Sequence, residues 1–126
     1  RFVGEFGGAG NVARIVGALA DALARRGHAA LQPWYFPGAE EYRKRLSAGG
    51  FTMITAQLFE RPTPLPTGMS GWLATFAGPF LHHLTDNEHE DYLSEVVARL
   101  EPYLCDSAGR WWADYVRLRF MATFGS

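Results

Sequence analysis

The stretch Arg1-Phe-Val-Gly-Glu-Phe-Gly-Gly-Ala-Gly-Asn-Val12 decides how the chain is read. Arg1 to Phe6 has the composition of a short β-strand, and the glycine-rich Gly7–Gly10 stops it. Asn11 suits an N-cap, because its side-chain oxygen can accept a free amide of a first helical turn. Val12, Ile15, Val16, Leu19 and Leu23 then recur at helical spacing and form one apolar stripe. Arg25 and Arg26 favour the negative end of that helix, and Gly27 can take the left-handed closing conformation. Strand, glycine turn and helix point to an α/β fold. No Met and no turn precede Arg1, so the opening reads as the middle of a protein.

Beyond that helix, Pro33-Trp-Tyr-Phe-Pro37 is an aromatic loop held extended by its two prolines. A short helix is expected from Ala39 to Ala48, ended by Gly49-Gly50. Phe51 to Phe59 is rich in β-formers and reads as a strand. Arg61-Pro-Thr-Pro-Leu-Pro66 lacks a regular set of amide donors and reads as an extended connection. Ser70 is placed to cap a helix carrying Trp72, Leu73, Phe76, Phe80 and Leu84, with a bend at Gly78-Pro79. Asp86 is placed to cap the next, with Leu93, Val96, Val97, Leu100 and Leu104 as its apolar positions and Pro102 disturbing its last turn. After a turn at Asp106 to Gly109, Trp111 to Ala122 alternates: Val116, Leu118 and Phe120 point one way, Tyr115, Arg117 and Arg119 the other. The order is β-α-α-β-α-α-β. Three strands are few for independent stability, so the α/β fold looks incomplete.

Composition narrows the function classes. A chain of 126 residues suits one domain, and 48% apolar with 20% charged residues is ordinary for a globular protein. Twelve basic against thirteen acidic side chains give no electrostatic reason to expect nucleic acid or an anionic membrane. No apolar run approaches the ~20 residues of a membrane span. The single Cys105 excludes an internal disulfide framework and a thiolate zinc cluster, and fits the cytoplasm.

Four features invite a chemical reading. Gly8-Ala-Gly-Asn-Val-Ala13 matches G-x-G-x-x-[GA] between a strand and a helix, where amides can hold a phosphate. The acidic residue expected about 20 positions later in that fingerprint is missing, and a steric turn accounts for the glycines equally. Trp34, Tyr35, Phe36, Trp72, Phe76 and Phe80 suit either an apolar pocket with a lid or the core. His82-His83 and His89 lack the i,i+4 spacing of a chelating pair; Glu88 and Glu90 suit a helix start. Arg117 and Arg119 share a strand face fit to bind a carboxylate, and Glu5 lies where open α/β sheets place ligands; an ion pair with Glu5 or Asp114 explains the arginines as well. Cys105 has no neighbouring base in sequence.

Several phrases together carry a resemblance: Glu5-Phe-Gly-Gly-Ala-Gly-Asn11, Pro33-Trp-Tyr-Phe-Pro37 with Glu41-Tyr42, Ala48-Gly-Gly-Phe51, Arg61-Pro-Thr-Pro-Leu-Pro66, Gly68-Met-Ser-Gly-Trp-Leu73 and Asp114-Tyr-Val-Arg-Leu-Arg-Phe120. In this order they resemble the C-terminal half of class I S-adenosylmethionine-dependent methyltransferases, in the branch similar to trans-aconitate methyltransferase. The resemblance implies a partial Rossmann-like sheet: Arg1–Phe6 as the fifth strand, Phe51–Phe59 as the sixth, and Trp111–Ala122 as an antiparallel seventh between them. Residues 1–126 are then one domain portion, with a helical lid insertion over residues 70–105. The family's cofactor loop and ribose-binding acid have no counterpart here, and Gly8-Ala9-Gly10 falls on the turn after the fifth strand.

The resemblance implies S-adenosylmethionine in the intact enzyme and a small-molecule methyl acceptor. Glu5, Trp34, Tyr35, Trp72, Phe76 and Arg117 are the expected substrate-binding residues, with no metal and no cofactor residue in this chain. Alone, the chain is expected to be inactive, its partner being the missing N-terminal half or a second copy on the exposed sheet edge. Two other readings stay open: a stand-alone small-molecule binding or interaction module, and a small nucleotide-binding domain using Gly8 to Ala13.

Overall fold

The computed structural model describes residues 1–29 and 32–125; Ala30, Leu31 and Ser126 lie outside the described residues. The elements are β1 (Phe2–Gly7), α1 (Ala13–Arg25), α2 (Ala39–Ala48), β2 (Phe51–Pro64), α3 (Gly68–Phe76), α4 (Gly78–Leu81), α5 (Asp86–Leu104) and β3 (Trp112–Phe124). The class is α/β, with one three-stranded antiparallel sheet in the order β1-β3-β2. The chain divides into two compact units, one made of Arg1–Asn11, Trp34–Arg61 and Tyr115–Ser126, the other of Val12–Pro33 and Pro62–Asp114.

The first unit is a sheet with one covered face. β1 and β3 pair with Glu5 opposite Arg119 and Phe6 opposite Leu118. The alternation expected for the last strand puts Leu118 and Phe120 in the interior and leaves Arg119 exposed. α2 covers the apolar face: Leu46 packs with Phe120 and Ala122, and Phe6, Tyr42, Phe51, Met53 and Ala56 close around them. The Tyr42 ring lies 4.7 Å from Phe6 and 4.9 Å from Phe120. Inward positions on β2 shift from Phe51 and Met53 to Ala56, with Ile54 and Thr55 both exposed between them, an interruption of the strict period of two.

β2 is longer than its β-formers imply, because it continues through Arg61-Pro62-Thr63-Pro64 rather than ending at Phe59. The reason is positional. β2 is an edge strand, and Leu65 N–H donates to Trp111 O at 2.8 Å. Prolines at 62 and 64 alternate with that residue, so their missing donors fall on the outer side, where no ladder bond is lost.

The second unit is helical. α1 buries Ile15, Ala18, Leu19, Ala22 and Leu23, and α5 contributes Tyr92, Val96, Leu100 and Leu104. The Tyr92 hydroxyl donates to Leu19 O at 2.7 Å, so the buried ring carries its polar atom to a partner. Glu95 accepts from Arg25, Arg26 and Arg99, tying α1 to α5. Gly27 closes α1 with φ +82, and His28 N–H reaches back to Leu23 O at 3.0 Å. Gly78-Pro79 interrupts the helix after Phe76 as the sequence implies, with the proline in the first turn of α4.

Three expected caps are displaced. Asn11 does not cap α1: its Oδ1 accepts from Val116 N–H at 2.7 Å. Ser70 lies inside α3, which starts after Thr67. Thr85 rather than Asp86 caps α5, in a reciprocal box with Glu88, which satisfies two otherwise free amides. Pro102 stays within α5, which runs on to Leu104.

Candidate functional site

On the face of the sheet opposite α2, one carboxylate meets three guanidinium groups. The antiparallel register sets Glu5 across from Arg119. Glu5 Oε1 accepts from Arg119 Nε at 3.0 Å and Nη2 at 2.9 Å. Oε2 accepts from Arg117 Nε and from Arg61 Nη1, each at 3.4 Å. The Arg119 hydrogen bond, ahead of Arg117, holds the Glu5 carboxyl below its ordinary range. Glu5 and Arg117 are part-buried, whereas the side chains of Arg61 and Arg119 are each 59% exposed. Arginine at a partly exposed position is the side-chain type suited to a carboxylate or phosphate.

Glu5 and Arg117 are thus brought together as the sequence allowed, through the Glu5 ion pair rather than through Asp114. The other candidates are divided between the units. In the sheet unit, Trp34 lies 6.1 Å from Phe36, ring to ring. Tyr35 is exposed, with the Arg45 guanidinium 4.6 Å over its ring. In the helical unit, Trp72 is buried and lies against half-exposed Phe76, with 4.9 Å between ring centroids and the planes tilted by 45°. Arg61 had no signal in sequence beyond its place before a proline run.

The glycine-rich turn is not built as a phosphate cradle. Gly8 N–H donates to Val116 O, Ala9 N–H to Pro37 O, Asn11 N–H to Gly8 O and Val12 N–H to Asp114 O, each at 2.9 or 3.0 Å. The carboxylate of Asp114 occupies the start of α1, accepting from Arg14 N–H at 2.9 Å, the place where a bound anion would sit. The glycines answer steric needs: a Cβ on Gly8 would sit 2.4 Å from Leu58 Cδ2, and Gly10 has φ +87. Val12 follows in the left-handed region at φ +47, a strained conformation for a β-branched residue. Burial pushes the Asp114 carboxyl above its ordinary range, and its Oδ1 has no hydrogen-bond partner.

Among the described residues, no group of three or more His, Cys, Asp or Glu side chains is placed to hold a metal. His82 and His83 are exposed, and His83 lies against His28 with ring centroids 5.8 Å apart. Burial pushes the Cys105 thiol up, away from a nucleophilic thiolate. No helix of the described residues is long and apolar enough to cross a membrane.

No protein-family model matches the chain. It is 35% identical over 128 residues to an uncharacterized methyltransferase of Schizosaccharomyces pombe. That alignment takes in 97% of this chain and 48% of the other, so the chain spans about half the length of the curated relative it matches. The likeness is thus to about half of a protein named as a methyltransferase.

Proposed function

We propose that the chain is the C-terminal part of a class I, S-adenosylmethionine-dependent methyltransferase similar to the trans-aconitate branch, and that it serves the acceptor side of a cytoplasmic enzyme acting on a small molecule. The observation that carries the reading is the strand order. β3 runs antiparallel between β1 and β2, the arrangement implied for the seventh strand of a Rossmann-like methyltransferase sheet. The likeness to a protein named as a methyltransferase supports it.

The residues present do not fit the methyl donor. Around the glycine turn the amides of Gly8, Ala9, Asn11 and Val12 donate to this chain's own carbonyls, and Asp114 takes the helix start. Donor binding therefore falls to the part of the domain outside this chain, and the chain alone is inactive. Its own contribution is positional: the exposed guanidinium groups of Arg61 and Arg119, with Arg117 and Glu5, orient an acceptor bearing a carboxylate. Holding reactants in line is a large share of what such an enzyme does.

The same reading gives β1 a neighbour. Gly8 N–H points to β3, so the period of two turns the amides of Val3, Glu5 and Gly7 to the opposite edge. In the order β1-β3-β2, no strand among the described residues lies on that side. The missing half covers this edge in the intact protein, and a second copy covers it in the isolated chain. Light scattering at rising concentration is expected to show dimers or larger species, reduced by Val3→Pro, which blocks the outer edge while sparing the β3 ladder. A monomer at every concentration overturns the open-edge reading and favours a stand-alone binding module.

A further inference from the structure

The helical unit holds a groove that the methyl-transfer reading does not use. α3 lines one wall with Ser70 and Leu73; α5 lines the other with His89, Glu90, Leu93, Ser94 and Val97. The α5 residues recur at four-residue steps, 89, 93 and 97 with 90 and 94 beside them, so one helix face supplies them all. The groove encloses about 520 Å3, a volume within the range of small-molecule sites. Leu73 is buried at its floor, with Leu93 and Val97 half-buried beside it.

The polar groups around that aliphatic floor have one sign. Among the described lining residues Glu90 is the one carboxylate, two serine hydroxyls accompany it, and there is neither Lys nor Arg. His89 also lines the groove, and its buried Nε2 has no hydrogen-bond partner, a cost to the free protein. An apolar floor with a carboxylate at its rim matches a compound with an apolar body and a cationic head.

We propose that the α3–α5 groove is a binding site for a small aromatic or aliphatic ammonium compound, seated on Leu73, Leu93 and Val97 with its charge at Glu90. The site is separate from the arginine cluster of the sheet unit in residues and in charge, and it does not depend on the methyltransferase reading.

Phenethylammonium and phenylpropionate have similar apolar bodies and opposite charges. Each is titrated into the full chain near neutral pH while the His89 ring protons are followed by NMR. The proposal predicts a saturable shift with the ammonium compound and none with the carboxylate. Glu90→Gln, a change on an exposed helix face, should weaken the ammonium compound about threefold, the scale of an exposed ion pair. Leu93→Trp should fill the groove and abolish the shift; if that variant unfolds, Glu90→Gln still decides. Equal shifts from both compounds, no shift from either, or an ammonium affinity unchanged in Glu90→Gln overturns the proposal.

Discussion

In the helical unit, Ile15, Leu19, Leu23, Met69, Leu73, Tyr92, Val96 and Leu100 are all fully buried, drawn from three helices that close on one another. In the sheet unit, Pro37 and Leu118 reach that class, while Phe2, Val3, Ile54, Leu58 and Phe124 are 40 to 77% exposed. The difference follows from geometry. An apolar helix stripe is one face of a cylinder and can be covered by two neighbours, whereas a sheet has two faces and two edges to cover. Here α2 covers one face, and the other carries the arginine cluster. The helical unit closes several large side chains completely, and the sheet unit leaves more of its large apolar side chains at the surface.

Core substitutions test that contrast most severely. Tyr92→Ala removes a fully buried ring and its bond to Leu19 O, and should cost about 4 kcal/mol by urea unfolding followed by circular dichroism. Ile54→Ala, on the exposed side of β2, should cost no more than about 0.5 kcal/mol. Similar losses at the two sites would erase the distinction between the units.

The start of α1 offers a finer test. Asp114→Ala strips the helix of its borrowed acceptor and should cost about 1 kcal/mol. Asp114→Asn keeps an acceptor for Arg14 N–H and removes a part-buried charge, so it should be close to neutral. If both substitutions cost the same, the carboxylate is not acting as the acceptor at the helix end.

Acidity separates two carboxyls of the helical unit. Arg25, then Arg26 and Arg99, hold Glu95 down to about 2, below its unfolded value of about 4.3. Its contribution is therefore complete above the unfolded value and is lost as pH falls toward 2. Glu95→Gln should flatten the acid limb of stability against pH. Asp114 runs the other way: its folded value is raised, so its ionisation opposes folding as pH rises through that value, and Asp114→Asn should gain relative to wild type from acid to neutral pH. The smallest expected effect is Glu5→Gln, which disturbs a solvent-screened cluster and should leave the unfolding midpoint nearly unchanged.

Much of the fold was legible in local signals. The Gly49-Gly50 pair ends α2 at Ala48, Gly27 closes α1, and the Gly78-Pro79 break is visible in the letters. The alternation of β3 announced which of its residues meet the core. What stayed hidden depends on partners distant in sequence. Asp114 serves a helix start 100 residues away, and Asn11 turns to Val116 instead of the adjacent helix. The prolines of β2 are tolerated because of an edge that the sequence does not display. Thr85-x-x-Glu88 was readable as a capping box, but the adjacent Asp86 is an equally good cap type. At the candidate site, Glu5 and Arg117 were legible from strand position, whereas Arg61 joins them only through the pairing of three strands.

Calorimetric titration of this chain with S-adenosylmethionine, with a dinucleotide as control, tests the central claim most directly. The account predicts no heat of binding with either, because the amides of Gly8, Ala9, Asn11 and Val12 and the α1 start are already engaged by this chain's own groups. Micromolar binding of S-adenosylmethionine would contradict it, and would make the Gly8–Ala13 turn a cofactor site after all.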